Sequence, residues 1–140
     1  MPDLRTYLRG TWALQRRLTD RASGTVGTFT GTVAFTDTPD GGLLQRESGT
    51  MRWGSHEGPA AREYVWSQTD EPSAMEVSFP DGRPFHRADL GTGSAGAAHW
   101  CSPDDYRVTY EALGPDSLRW VWDVHGPAKD LLLESELHRR

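Results

Sequence analysis

Residues 27–37, GTFTGTVAFTD, carry the plainest pattern in the chain. Phe29, Val33 and Phe35 fall on one side of a period-two alternation; Thr28, Thr30, Thr32 and Thr36 fall on the other. Successive side chains of a strand point to opposite faces, so this stretch is a strand with one buried and one wet face. The preceding TWALQRRLT (11–19) repeats the pattern, with Trp12, Leu14 and Leu18 on one face and Arg16 interrupting it.

Working outward, further strands are predicted at about 43–53, 60–68, 74–79, 84–90, 96–101, 105–113, 117–125 and 129–138. Turn chemistry separates them: PDGG (39–42), WGSHEGP (53–59), PDGRP (80–84), GTGSAG (91–96), SPDD (102–105), GPDS (114–117) and HGPA (125–128). Only the first residues, around LRTYL, read as helical, and the chain has no internal repeat. The expectation is one all-β domain, residues 1–140, of eight to ten antiparallel strands. An open sheet of that size exposes two edges; closing it into an up-and-down β-barrel removes them. A β-sandwich is the alternative.

Composition bounds the function. The chain is 36% hydrophobic but has six Trp, four Tyr and four Phe, so a few large side chains do most of the burying. The net charge of −5 and the lack of a basic stripe make nucleic acid a poor partner. No apolar run is long enough to span a membrane, and MPDLRTYLRG lacks the apolar core of a signal peptide. The single cysteine allows no internal disulfide, which points to a reducing, cytoplasmic setting. One Lys against fourteen Arg fits a high-GC genome. Oligomeric state is open, a homodimer included.

LRGTW (8–12) places Gly10-x-Trp12 on the first strand of an all-β chain. This resembles the calycin pattern of lipocalins and fatty-acid-binding proteins. There a Trp closes the barrel floor and an Arg of the last strand stacks on it, a part open to Arg139 or Arg140. With FTGTVAF (29–35), GLL (42–44), DGRPFH (81–86), HWCSPDDY (99–106) and WDVHGPAKD (122–130), the chain resembles, nearly end to end, an actinobacterial domain-of-unknown-function family of this length. That family is similar in outline to calycin barrels and has no established activity. Gln45 stands where an aromatic residue is expected after GLL, which bears on how the cavity is lined there.

Several constellations could carry chemistry. In HWCSPDDY, His99 and Cys101 share a strand face, and SPDD is a turn delivering Tyr106 to the next strand. A Cys–His nucleophile is one reading; a small buried hydrophobic Cys101 is the simpler one. If strands 84–90 and 96–102 form a hairpin over GTGSA, pairing His86 with His99 puts both on one face. Cys101 then lies alongside, with Asp89 or Asp104 as orienters, whereas a one-residue slip separates the histidines. No metal-ligand spacing such as C-x-x-C or H-x-H is present, so no metal is expected. Nor is any other cofactor, although His86, His99, His125 and His138 are the candidates if the barrel holds haem.

Gln45, Glu47, Met51 and Trp53 share a face. If it is interior, Glu47 is a buried carboxylate suited to acid–base work. Glu63 and Glu76, with Arg52, Arg62, Arg87 and Arg107, either line a polar cavity or form the solvated outer face. Arg62, Tyr64 and Trp66 share one face and Trp120 and Trp122 another, as the wall of a pocket for a flat or aromatic molecule would require. Lys129, at a hairpin mouth, is expected to be exposed. A tight turn at Gly126-Pro127 pairs His125 with Ala128, Trp122 with Leu131, Trp120 with Leu133 and Arg119 with Glu134. It also opposes Asp123 to Asp130, which requires a nearby cation or another register.

The leading expectation is a barrel binding a partly apolar small molecule, a secondary metabolite among the options. His86, His99 and Glu47 are the candidate acid–base groups, and Arg62, Tyr64, Trp66, Tyr106, Trp120 and Trp122 the ligand contacts. The alternatives are a cofactor-independent isomerase, cyclase or dehydratase using the same groups, a haem-binding barrel, and a filled barrel with a purely structural role.

Overall fold

The computed structural model describes residues 3–140. Asp3 caps a short helix, α1 (Leu4–Leu8), its carboxylate accepting the Thr6 amide at 2.9 Å. Ten strands follow: β1 (Gly10–Asp20), β2 (Thr25–Asp37), β3 (Leu43–Trp53), β4 (His56–Gln68), β5 (Ala74–Ser78), β6 (Pro84–Asp89), β7 (Ser94–Cys101), β8 (Asp104–Gly114), β9 (Ser117–His125) and β10 (Asp130–Arg139). They form one antiparallel sheet in the order β6-β5-β4-β3-β2-β1-β10-β9-β8-β7, curled into a nearly closed barrel. Phe29, Val33 and Phe35 face the core, as the alternation in β2 requires. Among the described residues no helix is long and apolar enough to cross a membrane.

Closure needs close backbone approach. Gly31 of β2 lies opposite Gly49 of β3, and a Cβ on Gly31 would stand 2.1 Å from the Ser48 carbonyl oxygen. Only glycine on both strands lets the sheet coil this tightly.

One end of the barrel is sealed. Trp12 is fully buried and donates its indole N–H to the Leu8 carbonyl at 2.8 Å. The Arg139 guanidinium stacks 4.1 Å from the Trp12 ring and donates to the Tyr7 carbonyl at 2.6 Å. Gly10, at φ +123°, makes the bend that lets Arg139 pass. Arg139 therefore takes the part expected of a last-strand arginine.

Three expectations are corrected. First, β6 and β7 form no hairpin ladder; they are the two ends of the curled sheet, β6 bonded to β5 and β7 to β8. Bulky rings fill the seam instead, with Phe85 and His99 5.1 Å apart. Second, the last hairpin pairs His125 with Asp130 and Leu133 with Trp122, two residues from the predicted register. Gly126–Lys129 forms a four-residue turn in which the Lys129 amide donates to the Gly126 carbonyl, and Pro127 takes the second position that its fixed φ favours. A slip of two preserves the faces, so Trp120 and Trp122 stay inside. The required cation is also there: Arg21 donates to Asp123 at 2.6 Å and to Asp130 at 2.7 Å. Third, β4 begins at His56, because Gly54 at φ +61° permits a two-residue turn.

Candidate functional site

A polar layer crosses the middle of the barrel. Arg16 of β1 and Glu47 of β3, both buried, form a two-pronged ion pair at 2.9 and 3.0 Å. The Arg16 Nε donates to Ser135 Oγ at 2.7 Å, and the Gln45 amide donates to Glu47 at 2.9 Å. Gln45 in turn accepts the Trp66 indole N–H at 2.8 Å. The residue that replaces the expected aromatic is thus the link between Trp66 and the ion pair. A buried pair is tolerated when its remaining hydrogen-bonding capacity is met, as here. Both Glu47 oxygens are occupied by donors, so Glu47 holds Arg16.

Above this layer stands a second polar pair. The His86 Nε2 lies 2.9 Å from the Tyr110 hydroxyl, and both residues are buried. The other ring nitrogen, Nδ1, is buried without a hydrogen-bond partner. Burial, helped by the nearby His99, pushes the His86 pKa down from 6.5 to about 4, so the imidazole is neutral at physiological pH. Burial likewise pushes the Tyr110 hydroxyl up, so that phenol keeps its proton. A neutral imidazole has one N–H and one lone pair, and whichever faces Tyr110, the other is presented at Nδ1.

A bulge supplies the roof. Val77 pairs with His86 but Ser78 pairs with Pro84, leaving Phe85 as the extra residue on β6. Phe85 and His86, adjacent in sequence, consequently both reach the interior. Phe85 stacks on Trp122 at 4.9 Å and 3° and on Phe79 at 4.6 Å. Below these rings the chamber lined by His86, Tyr110, Trp120, Gln45 and Glu47 has about 10 Å³ of free space, the room of one water. Above them an open vestibule of about 180 Å³ is walled by Tyr64, Phe85, Tyr106, Trp122, Val124 and Leu133, with Arg62 at its side. Arg62 and Phe85 border both spaces.

The structure brings most of the predicted site residues to this end of the barrel. His86, Arg62, Tyr64, Tyr106 and Trp122 border free space, and Trp120 closes the chamber below. Trp66 is packed in the wall, edge-on to Phe35 and Tyr110. His99 reaches the interior side of the seam, where its ring meets Phe85 and Phe79, and Phe85 touches both histidines. Cys101 is exposed, not the small buried hydrophobe expected, because the strand has passed the rim by that point. Asp89 lies outside on Ser73, and Asp104 pairs with Lys129 at 3.4 Å, so neither orients a histidine. Among the described residues no three His, Cys, Asp or Glu converge for a metal. His125 and His138 sit on exposed surfaces, beside Asp123 and Ser117 respectively. The outer face carries Arg87–Glu76, Arg46–Glu63 and Arg107–Asp105. Sequence reasoning missed Phe85 and Tyr110: a bulge has no period-two signature, and Tyr110 is marked only by its place two residues from Val108 on the inner face of β8.

The sequence profile of a family of unknown function, DUF6314, matches residues 8–139. The chain belongs to that family. No curated protein matches the DUF6314 chain in sequence. Among solved structures it is similar to the S-type phycobiliprotein lyase CPES of Guillardia theta, at 12% identity and TM-score 0.64, over 96% of this chain and 89% of that one. A DUF3598-family protein of unknown function from Nostoc punctiforme gives 12% identity and TM-score 0.66 over 100% of this chain, which spans about half (51%) of its length. EF1p2_mFAP2b bound to DFHBI gives 16% and 0.55, over 100% and 99% of the two chains. Identities this low establish a shared barrel fold and nothing finer.

Proposed function

We propose that this DUF6314 protein binds a small, planar, partly apolar molecule through the open end of its barrel. The carrying observation is the aromatic-walled vestibule of about 180 Å³ at the open end, with the unpartnered Nδ1 of His86 in the water-sized chamber beneath it. An orphaned buried polar atom costs about 1–3 kcal/mol, and a single water bridging Nδ1 to a ligand group in the vestibule fits the chamber and removes that cost. The sealed floor leaves the vestibule as the way in. Phe85, Trp122 and Tyr64 supply the aromatic walls, Tyr106 borders the mouth, and His99 steadies Phe85 from the seam. Likeness of fold to a phycobiliprotein lyase and to a barrel bound to DFHBI supports a ligand-holding use of the architecture.

A second reading, a cofactor-independent isomerase, cyclase or dehydratase, rests on one observation: the unpartnered Nδ1 of neutral His86, backed by the Tyr110 hydroxyl at Nε2, is placed to exchange a hydrogen bond with a reacting group by way of a water in the chamber. Glu47, held by Arg16 and Gln45, then has a structural part and not an acid–base one. Haem is disfavoured by the narrow space at His86. Native mass spectrometry of protein prepared from its natural host tests the binding reading. A reproducible small-molecule adduct, lost when Leu133→Trp fills the vestibule, is expected. Adduct-free protein in repeated preparations would sink it.

A further inference from the structure

We infer that the ligand is an anion, a planar carboxylate or comparable acid of one or two rings, held at the mouth by Arg62. The inference rests on the binding reading and adds a substrate class to the same site.

The argument begins with register. Arg62 of β4 lies directly opposite Glu47 of β3, the cross-strand pair that ordinarily forms an ion pair. Glu47 does not serve it. Both Glu47 oxygens are taken by Arg16, and the second also accepts from Gln45. Among the described residues Arg62 has no carboxylate partner; its guanidinium lies beside the Tyr64 hydroxyl, where it partly offsets the rise that burial gives that phenol. Arg62 thereby faces both the chamber and the vestibule as an uncompensated cation.

The surroundings agree in sign. The chain carries a net charge of −5, yet among the described residues no carboxylate borders the vestibule. In the chamber Glu47 is cancelled by Arg16. A cavity that is positive inside an acidic protein concentrates anions and repels cations. Tyr106 adds a donor: its oxygen accepts from Lys129 Nζ at 3.2 Å, which leaves its own O–H free to donate into the vestibule. A guanidinium and a phenol O–H suit the two oxygens of a carboxylate. The ring of such an acid would pack in the vestibule against the parts of Phe85, Trp122 and Tyr64 that line it. The vestibule's 180 Å³ sets the size at one or two fused rings.

The test is calorimetric binding of 2-naphthoate and of its neutral isostere 2-naphthamide to the full chain. The acid is expected to bind about tenfold more tightly, the discount from a larger effect reflecting the exposure of Arg62. Arg62→Met should abolish that preference by weakening acid binding far more than amide binding, and Arg62→Lys should restore part of it. Equal affinities for acid and amide in the unaltered protein would overturn the charge inference and leave the pocket standing. A preference that survives Arg62→Met would overturn the role of Arg62. Binding of neither probe at millimolar concentration would overturn the pocket reading and this inference with it.

Discussion

His86 gives a sharp test in acid. Unfolded, its imidazole takes up a proton near the ordinary value of 6.5; folded, burial and His99 postpone this to about pH 4. Between those values the unfolded chain binds the extra proton, so acid favours unfolding. The stability that depends on a neutral His86 is complete above pH 6.5 and declines by about 1.4 kcal/mol per pH unit below it. By pH ~4 about 3 kcal/mol is gone, a large part of a small domain's total. The comparison is a double variant, His86→Leu with Tyr110→Phe, which removes the titrating group without stranding the phenol. Urea unfolding followed by tryptophan fluorescence, at pH values from 7.5 to 4, measures both proteins. The parent should lose about 3 kcal/mol more than the variant across that window. Asp40, Asp81, Asp89 and Asp123, all held below the usual carboxylate range by hydrogen bonds, lose their contributions at still lower pH and in both proteins alike. Parallel pH profiles would refute the reasoning, since a His86 that protonates freely is not buried as described.

Two further outcomes follow from the interior. Glu47→Gln should destabilise the fold by about 3–5 kcal/mol by stranding Arg16, while Arg16→Met with Glu47→Leu should recover most of that loss; chemical denaturation of the two variants beside the parent checks both. Gly31→Ala should cost at least about 1–3 kcal/mol, the range for overpacking, because its Cβ meets backbone that cannot turn aside; a thermal midpoint unchanged from the parent would contradict the tight β2–β3 approach.

The strands were legible because period-two alternation is a local property, written wherever one face of a strand is wet. GTFTGTVAFTD shows it, and β2 runs as that pattern requires, with Phe29, Val33 and Phe35 inside. The floor was legible only through the resemblance of Gly10-x-Trp12 to the calycin pattern, which left Arg139 and Arg140 both open; the structure puts Arg139 on Trp12. The site was only half legible. Tyr64 and Trp122 sit on faces that alternation groups with other aromatics, whereas the face of His86 hung on a register the sequence left open, and Phe85 is inside because of a bulge that alternation does not show. Cys101 shares the parity of His99 but lies beyond the rim, and alternation says nothing about where a barrel stops.

What sequence alone determined, then, was the set of strands and the alternation of their faces, consequences of neighbours along the chain. Tertiary structure decided which ends of the sheet meet, the four-residue turn that set the last register, and which arginine Glu47 would hold. Arg16 and Arg62 are equivalent in sequence as arginines on inward strand positions. Only the curl of the sheet carries Arg16 across to both Glu47 oxygens and leaves Arg62 facing the opening. Ion-pair choice depends on distances through space between strands far apart in sequence, and those are fixed only when the barrel closes.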